Sequence, residues 1–102
     1  MLALSQEITA VAAEYAEIVS VFNMYAPNLD SKTPSIRLTE AGISFGIAGE
    51  AGFVAVVADA DEAIEILMNG YGELINNPEW TKIGVAIITS GDYTICVINW
   101  TD

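Results

Sequence analysis

Apolar residues recur at helical spacing between Ser5 and Phe22. Ile8, Val11, Ala12, Tyr15, Ile18, Val19 and Phe22 share one face, while Gln6, Glu7, Glu14 and Glu17 take the others. This predicts an amphipathic helix with Ser5 as N-cap and Glu7 near the positive end of the helix dipole. Asn23 to Ser31 contains Pro27, Asn28 and Asp30 and reads as a loop. Thr33-Pro34 has the form of a cap followed by proline at the first helical position. A short helix is expected to Glu40 or Ala41, with Gly42 as its stop. From Ile43 the pattern turns to glycine and β-branched residues. It predicts a strand at Ser44–Ile47, a break at Ala48–Gly52, and an apolar stretch at Phe53–Val57 that periodicity leaves open between strand and buried helix. Asp59 and Glu62 have capping-box spacing and open a further helix to about Asn69, with Ala60, Ala63, Ile64, Leu67 and Met68 as its apolar face. Tyr71 to Pro78 reads as a loop or short helix. Trp80–Thr89 and Tyr93–Trp100 read as two strands joined at Ser90-Gly91-Asp92. Both are nearly all apolar, so cover is expected on both faces.

This element order predicts one α+β domain over residues 1–102: a three-layer α-β-α sandwich with a small, mainly antiparallel sheet. Composition agrees, since 53% of the residues are hydrophobic. Charge narrows the partners. Fourteen acidic residues face only Lys32, Arg37 and Lys82, giving a formal net charge of −11. Such a surface repels phosphate backbones and anionic headgroups, so nucleic acid is not an expected partner. No membrane span is expected either, because Glu50 and four glycines interrupt the most apolar stretch, Ala41 to Ala58. The N-terminus lacks a basic region ahead of an apolar run, so no signal peptide is read there. Cys96 is the single cysteine and lies in a predicted strand. No intrachain disulfide or thiolate cluster is available to it, and a buried inert thiol is expected. The chain has no histidine, which excludes Ser/His and Cys/His nucleophile pairs and imidazole metal ligands.

Several segments, in order, resemble the CAP superfamily of cysteine-rich secretory, antigen 5 and pathogenesis-related 1 proteins and their bacterial SCP domains. Ile8-Thr9-Ala10-Val11-Ala12-Ala13-Glu14-Tyr15-Ala16 is similar to the alanine-rich helix. Thr33 to Gly42 is similar to the bacterial short helix ending in Ala-Gly. Gly49-Glu50-Ala51 resembles Gly-Glu-Asn. Asp61 to Asn69 resembles the helix ahead of the family's Ser-Pro-Gly-His, and Asn77-Pro78-Glu79-Trp80-Thr81-Lys82-Ile83-Gly84-Val85-Ala86 resembles the run into the central strands. The resemblance implies a cleft that in many members holds a divalent metal between two histidines and acidic residues. Here those histidine positions fall at Met24 and at or near Glu73, the asparagine is Ala51, and Glu50 alone remains. A zinc-type site is therefore not expected. Family members begin one helix earlier. The absence of that helix would expose apolar surface, so a homo-oligomer or a covering partner is expected. An extracellular or cell-surface location is implied by the family.

The candidate cleft residues are Met24, Tyr25, Glu50, Tyr71 and Glu73. The leading expectation is a non-enzymatic CAP-like binding or interaction module that has lost its metal cleft and takes no cofactor. In it Glu50 is a structural carboxylate accepting backbone hydrogen bonds and Glu73 a solvated loop residue. Two alternatives stand beside it. One is a hydrolase or cation-binding protein using Glu50 and Glu73 as a re-made carboxylate site, on calcium or magnesium. The other is a lipid or sterol binder with Met24, Tyr25, Tyr71 and Trp80 lining a groove. Asp59, Asp61 and Glu62 lack the glycine and distal glutamate of an EF-hand and read as helix caps. The glycines of Ser44-Phe45-Gly46-Ile47-Ala48-Gly49 match no phosphate loop. Ser31 with Lys32 and Ser90 with Lys82 are the available serine–lysine pairs.

Overall fold

The computed structural model describes residues 3–22, 24–56, 65, 69, 79–91 and 93–102. Its elements are β1 (Ala3–Leu4), α1 (Gln6–Phe22), α2 (Pro34–Glu40), β2 (Ala48–Ala55), β3 (Lys82–Ser90) and β4 (Tyr93–Thr101). The helices form where their signals lie. The Ile8 amide donates to Ser5 Oγ at 3.2 Å, capping α1. The Ile36 amide donates to Thr33 Oγ1 at 3.2 Å, capping α2, with Pro34 opening it. Gly42 takes φ 81° just beyond α2, the left-handed step that stops a helix.

Among the described residues the sheet has four strands in the order β1-β3-β4-β2. β3 and β4 form an antiparallel hairpin in which Ser90 pairs with Tyr93. β2 lies antiparallel on the other side of β4, with Ala48 opposite Thr101. β1 adds to β3 in parallel, Ala3 opposite Lys82. The sheet is thus mainly antiparallel, with one short parallel edge that the residue pattern does not predict. Three further expectations are corrected. Ser44–Ile47 is not a strand. The expected break at Ala48–Gly52 is the first half of β2, and Val54 and Ala55 complete it as strand. β3 and β4 each extend one residue past their predicted ends, and β3 starts at Lys82 rather than Trp80. The glycines misled because they mark close packing rather than a turn. A Cβ at Gly52 would come within 2.8 Å of the Cys96 carbonyl oxygen and strike the Tyr25 ring, and one at Gly49 would strike the Trp100 indole.

Alternation along β4 builds two cores. Ile95 and Val97 face α1 and pack with Ala12, Tyr15, Ala16, Val19 and Ala86. Cys96, Ile98 and Trp100 face the other way and pack with Ile83, Phe53, Val85 and Ile87. Each fully buried aliphatic side chain contributes roughly 1.5–3 kcal/mol. Both faces of β4 are buried, as the apolar run requires. α1 lies along one face. The predicted helix from Asp59, expected to cover the other, lies outside the described residues, as does the Tyr71–Pro78 segment. A smaller core of Ile8, Val11 and Leu38 joins α1 to α2.

Asp102 Oδ1 accepts from the amides of Gly46 (2.9 Å) and Ile47 (3.2 Å), tying the loop before β2 to the end of β4. These two amides hold its carboxyl below the usual aspartate range. A depressed folded value adds stability that is present above the unfolded aspartate pKa, about 3.9, and is lost as pH falls through the folded value. Thermal melts from pH 7 to pH 2.5 should therefore show Asp102→Asn less stable than wild type at neutral pH. The two should converge at the acid end. A constant difference at every pH would sink this account.

Candidate functional site

The polar centre forms where four segments meet beneath α1. β2 carries Glu50, whose register partner on β4 is Asn99. α2 carries Arg37, and the loop between the helices carries Tyr25 and Asp30. Glu50 has a fully buried side chain, and that of Arg37 is only 7% exposed. Arg37 NH2 donates to Glu50 Oε2 at 2.6 Å, and Asn99 Nδ2 donates to the same oxygen at 2.9 Å. Tyr25 OH donates to Glu50 Oε1 at 2.7 Å. Both carboxylate oxygens are therefore engaged, by side chains rather than by the backbone amides expected. Arg37 NH1 donates to Asp30 Oδ1 at 2.9 Å and to the Pro27 carbonyl oxygen at 3.1 Å.

Tyr15 supports this centre from α1. Its ring lies under the guanidinium, with Arg37 Cζ 3.6 Å from the ring centroid, a cation–π contact removed from water. Its hydroxyl donates to the Ala26 carbonyl oxygen and accepts from the Leu29 amide, which fixes the loop bearing Tyr25 and Asp30. Tyr25 packs edge-on against Tyr15, ring centroids 6.2 Å apart. Burial, then the hydrogen bond to the Glu50 carboxylate, push the Tyr25 phenol well above its ordinary value. Burial likewise raises Tyr15. Both phenols stay protonated at neutral pH and act as donors, not as bases.

Of the candidate cleft residues, the structure brings Tyr25 and Glu50 together. Met24 is an exposed loop residue. Tyr71 and Glu73 lie outside the described residues. Trp80 packs against Trp100 at 5.9 Å between ring centroids. Lys82 and Ser90 stand at opposite ends of β3, roughly 26 Å apart at about 3.3 Å per residue, so they form no serine–lysine pair. Lys32 is committed to Glu40 at 2.7 Å, beside Ser31 rather than paired with it. Cys96 is fully buried, and burial raises its thiol to about 11, as an inert cysteine requires. Arg37, Asn99, Asp30 and Tyr15 are the partners that the residue pattern did not single out. One signal for Arg37 was available. It is one of three cations in the chain and stands between Ile36 and Leu38 on a helix only seven residues long.

The described donors around Glu50 do not fit a metal ion. Arg37 occupies the position beside Glu50 where a cation would have to sit, and the described residues hold no group of three or more His, Cys, Asp or Glu arranged for one. A concavity of about 330 Å³ opens between α1 and α2 beside this centre; Tyr15, Asp30 and Arg37 form part of its wall, with Val11, Ile18 and Ala41 as apolar lining. Glu14, Lys32 and Glu40 stand beside them.

No known family's sequence profile matches the chain. No curated protein sequence matches it either. Two solved structures share its fold. An outer surface protein from Borrelia burgdorferi superposes with a TM-score of 0.79 at 22% identity, over 99% of this chain and 77% of its own. An extracellular protein containing an SCP domain from Bacillus anthracis str. Ames superposes with a TM-score of 0.78 at 21% identity, over 99% of this chain and 33% of its own. The fold is that of an SCP domain, as the segment order implied.

Proposed function

We propose, with the SCP-type fold as premise, that this chain is a non-enzymatic binding or interaction module. In this reading Glu50, the carboxylate retained from the family's cleft, has become a structural group. One observation carries it: the buried Glu50 side chain spends both oxygens on Arg37, Asn99 and Tyr25. A carboxylate that binds a cation or attacks a substrate needs a free lone pair and an approach from solvent. Removing Arg37 from it would leave a buried, uncompensated charge. An extracytoplasmic location fits the two structural neighbours, one an outer surface protein and the other an extracellular protein.

Calorimetric titration with calcium, magnesium, manganese and zinc chlorides tests the reading. The expected result is no saturable heat at micromolar affinity for any of the four, in wild type and in Glu50→Gln alike. Micromolar binding that disappears in Glu50→Gln overturns it in favour of a re-made carboxylate site.

A further inference from the structure

The concavity between α1 and α2 shares Tyr15, Asp30 and Arg37 with the polar centre, while Glu50 itself does not line it. Its volume of about 330 Å³ lies at the small end of ligand sites, enough for one long side chain with a neighbouring group. Val11, Ile18 and Ala41 give it apolar lining. Its cations are already committed: Lys32 Nζ lies 2.7 Å from Glu40, and Arg37 serves Asp30 and Glu50. Glu14 is exposed and forms no ion pair among the described residues. The uncommitted charge at this opening is therefore negative, in a chain whose net charge is −11.

The surface continues beyond the opening. Glu14, Ile18, Val21 and Phe22 follow at i, i+4, i+7 and i+8 and so share one stripe of α1. Val21 is 78% exposed and Phe22 51%. An acid, an apolar slot and an apolar step thus lie in sequence along one helix.

We propose that this stripe and slot dock a basic amphipathic segment of a protein partner. The aliphatic stem of one lysine or arginine enters the slot, its head group meets Glu14, and an apolar residue of the same segment packs on Val21 and Phe22. Long basic side chains suit such a site because the stem buries while the charge stays near water. The spacing matches: Ile18 to Val21 and Phe22 is about 5 Å along the helix, and alternate residues of an extended peptide are roughly 6.6 Å apart. Charge complementarity selects the occupant. A second copy brings the same −11 and repels, whereas a basic partner is attracted. This rests on the binding-module reading but not on the state of Glu50.

The test is a nitrogen-15 NMR titration of the full chain with the peptide acetyl-Leu-Ser-Lys-Ser-Leu-amide. Saturable shifts are expected at the amides of Glu14, Ile18, Lys32 and Ala41. Glu14→Gln should weaken binding about three- to fivefold, the range of a solvent-accessible ion pair. Phe22→Ser should weaken the peptide but leave butylamine unaffected. The proposal is overturned if no saturable shifts occur, if the peptide with glutamate in place of lysine binds equally, or if Glu14→Gln changes nothing. Butylamine binding as tightly as the peptide overturns it in favour of a free amine, and dimerisation across Phe22 in sedimentation overturns it in favour of a second copy. Glu14→Gln leaves the Glu50 contacts intact, so failure here is distinguishable from failure of the cation titration.

Discussion

Arg37→Leu is expected to lower the stability of the domain by about 3–5 kcal/mol, read from urea unfolding midpoints at unchanged slope. The substitution leaves Glu50 buried with only Tyr25 and Asn99 as donors, and neither carries charge. It also takes the cation from the Tyr15 ring and releases Asp30 and the Pro27 carbonyl. In a small domain with about 5–15 kcal/mol in total, such a loss approaches unfolding. Arg37→Lys should rescue little, because a single ammonium cannot span Asp30 and Glu50 as a guanidinium does. The double variant Arg37→Leu, Glu50→Leu should recover most of the loss, since the buried charge goes with its partner. The existing arrangement is itself incompletely satisfied: Arg37 Nε and Asn99 Oδ1 have no hydrogen-bond partner among the described residues. A single Arg37→Leu variant within about 1 kcal/mol of wild type, the range of an exposed pair, would show that the contact does not hold the loop, α2 and β2 together.

The second large effect is at Gly84. This residue pairs with Asn99 across the β3–β4 hairpin and faces α1. A Cβ added there would land on the Thr9 amide nitrogen and the Ile8 carbonyl group, backbone atoms of the first turn of α1. Backbone cannot swing aside as a side-chain tip can, so the helix must lift from the sheet. Gly84→Ala is expected to cost about 3 kcal/mol, the upper part of the range for overpacking, and to lower the melting temperature by more than about 10 °C. Two comparisons bracket it. Gly49→Ala meets the buried Trp100 indole, a side chain rather than backbone, and should cost less than Gly84→Ala while remaining clearly destabilising. Gly91→Ala meets nothing but carries φ 61° in the hairpin turn, and should cost roughly 1–2 kcal/mol for the left-handed conformation. If Gly84→Ala proves the mildest of the three, α1 does not ride on β3 as described.

The two helices and the terminal hairpin were legible because each carries a local signal. Ser5 and Thr33-Pro34 announce helix starts, and Gly42 and Gly91 sit where the chain turns through positive φ. β2 was not legible, because glycine read locally means a turn. Here Gly49 and Gly52 accept Trp100 and Tyr25, which are remote in sequence. β1 escaped notice for a simpler reason, since two residues of strand have no periodicity to read. Glu50 came to notice through the Gly-Glu pattern of the resembling family, but its partners did not. Arg37 and Asn99 are far apart in the chain and meet only because α2 and β4 converge on β2. Asp30 read as a loop breaker, and its role as a counter-charge becomes visible only once the guanidinium is placed.

The strand order has a consequence for how the chain acquires its structure. β2 and β3 never touch as neighbours; each pairs with β4, which is made after both. On a ribosome the chain can form α1 and the cap of α2 early, yet no antiparallel pairing can begin until β4 emerges from the exit tunnel. Glu50 likewise waits for Asn99 while emerging soon after Arg37. Formation of this sheet is thus gated by β4, and its long loop closures place it among slower topologies than helical domains of equal length. Until β4 arrives, β2 has no strand partner and β3 only the two-residue β1, the interval in which the nascent chain is most exposed to aggregation or capture by chaperones.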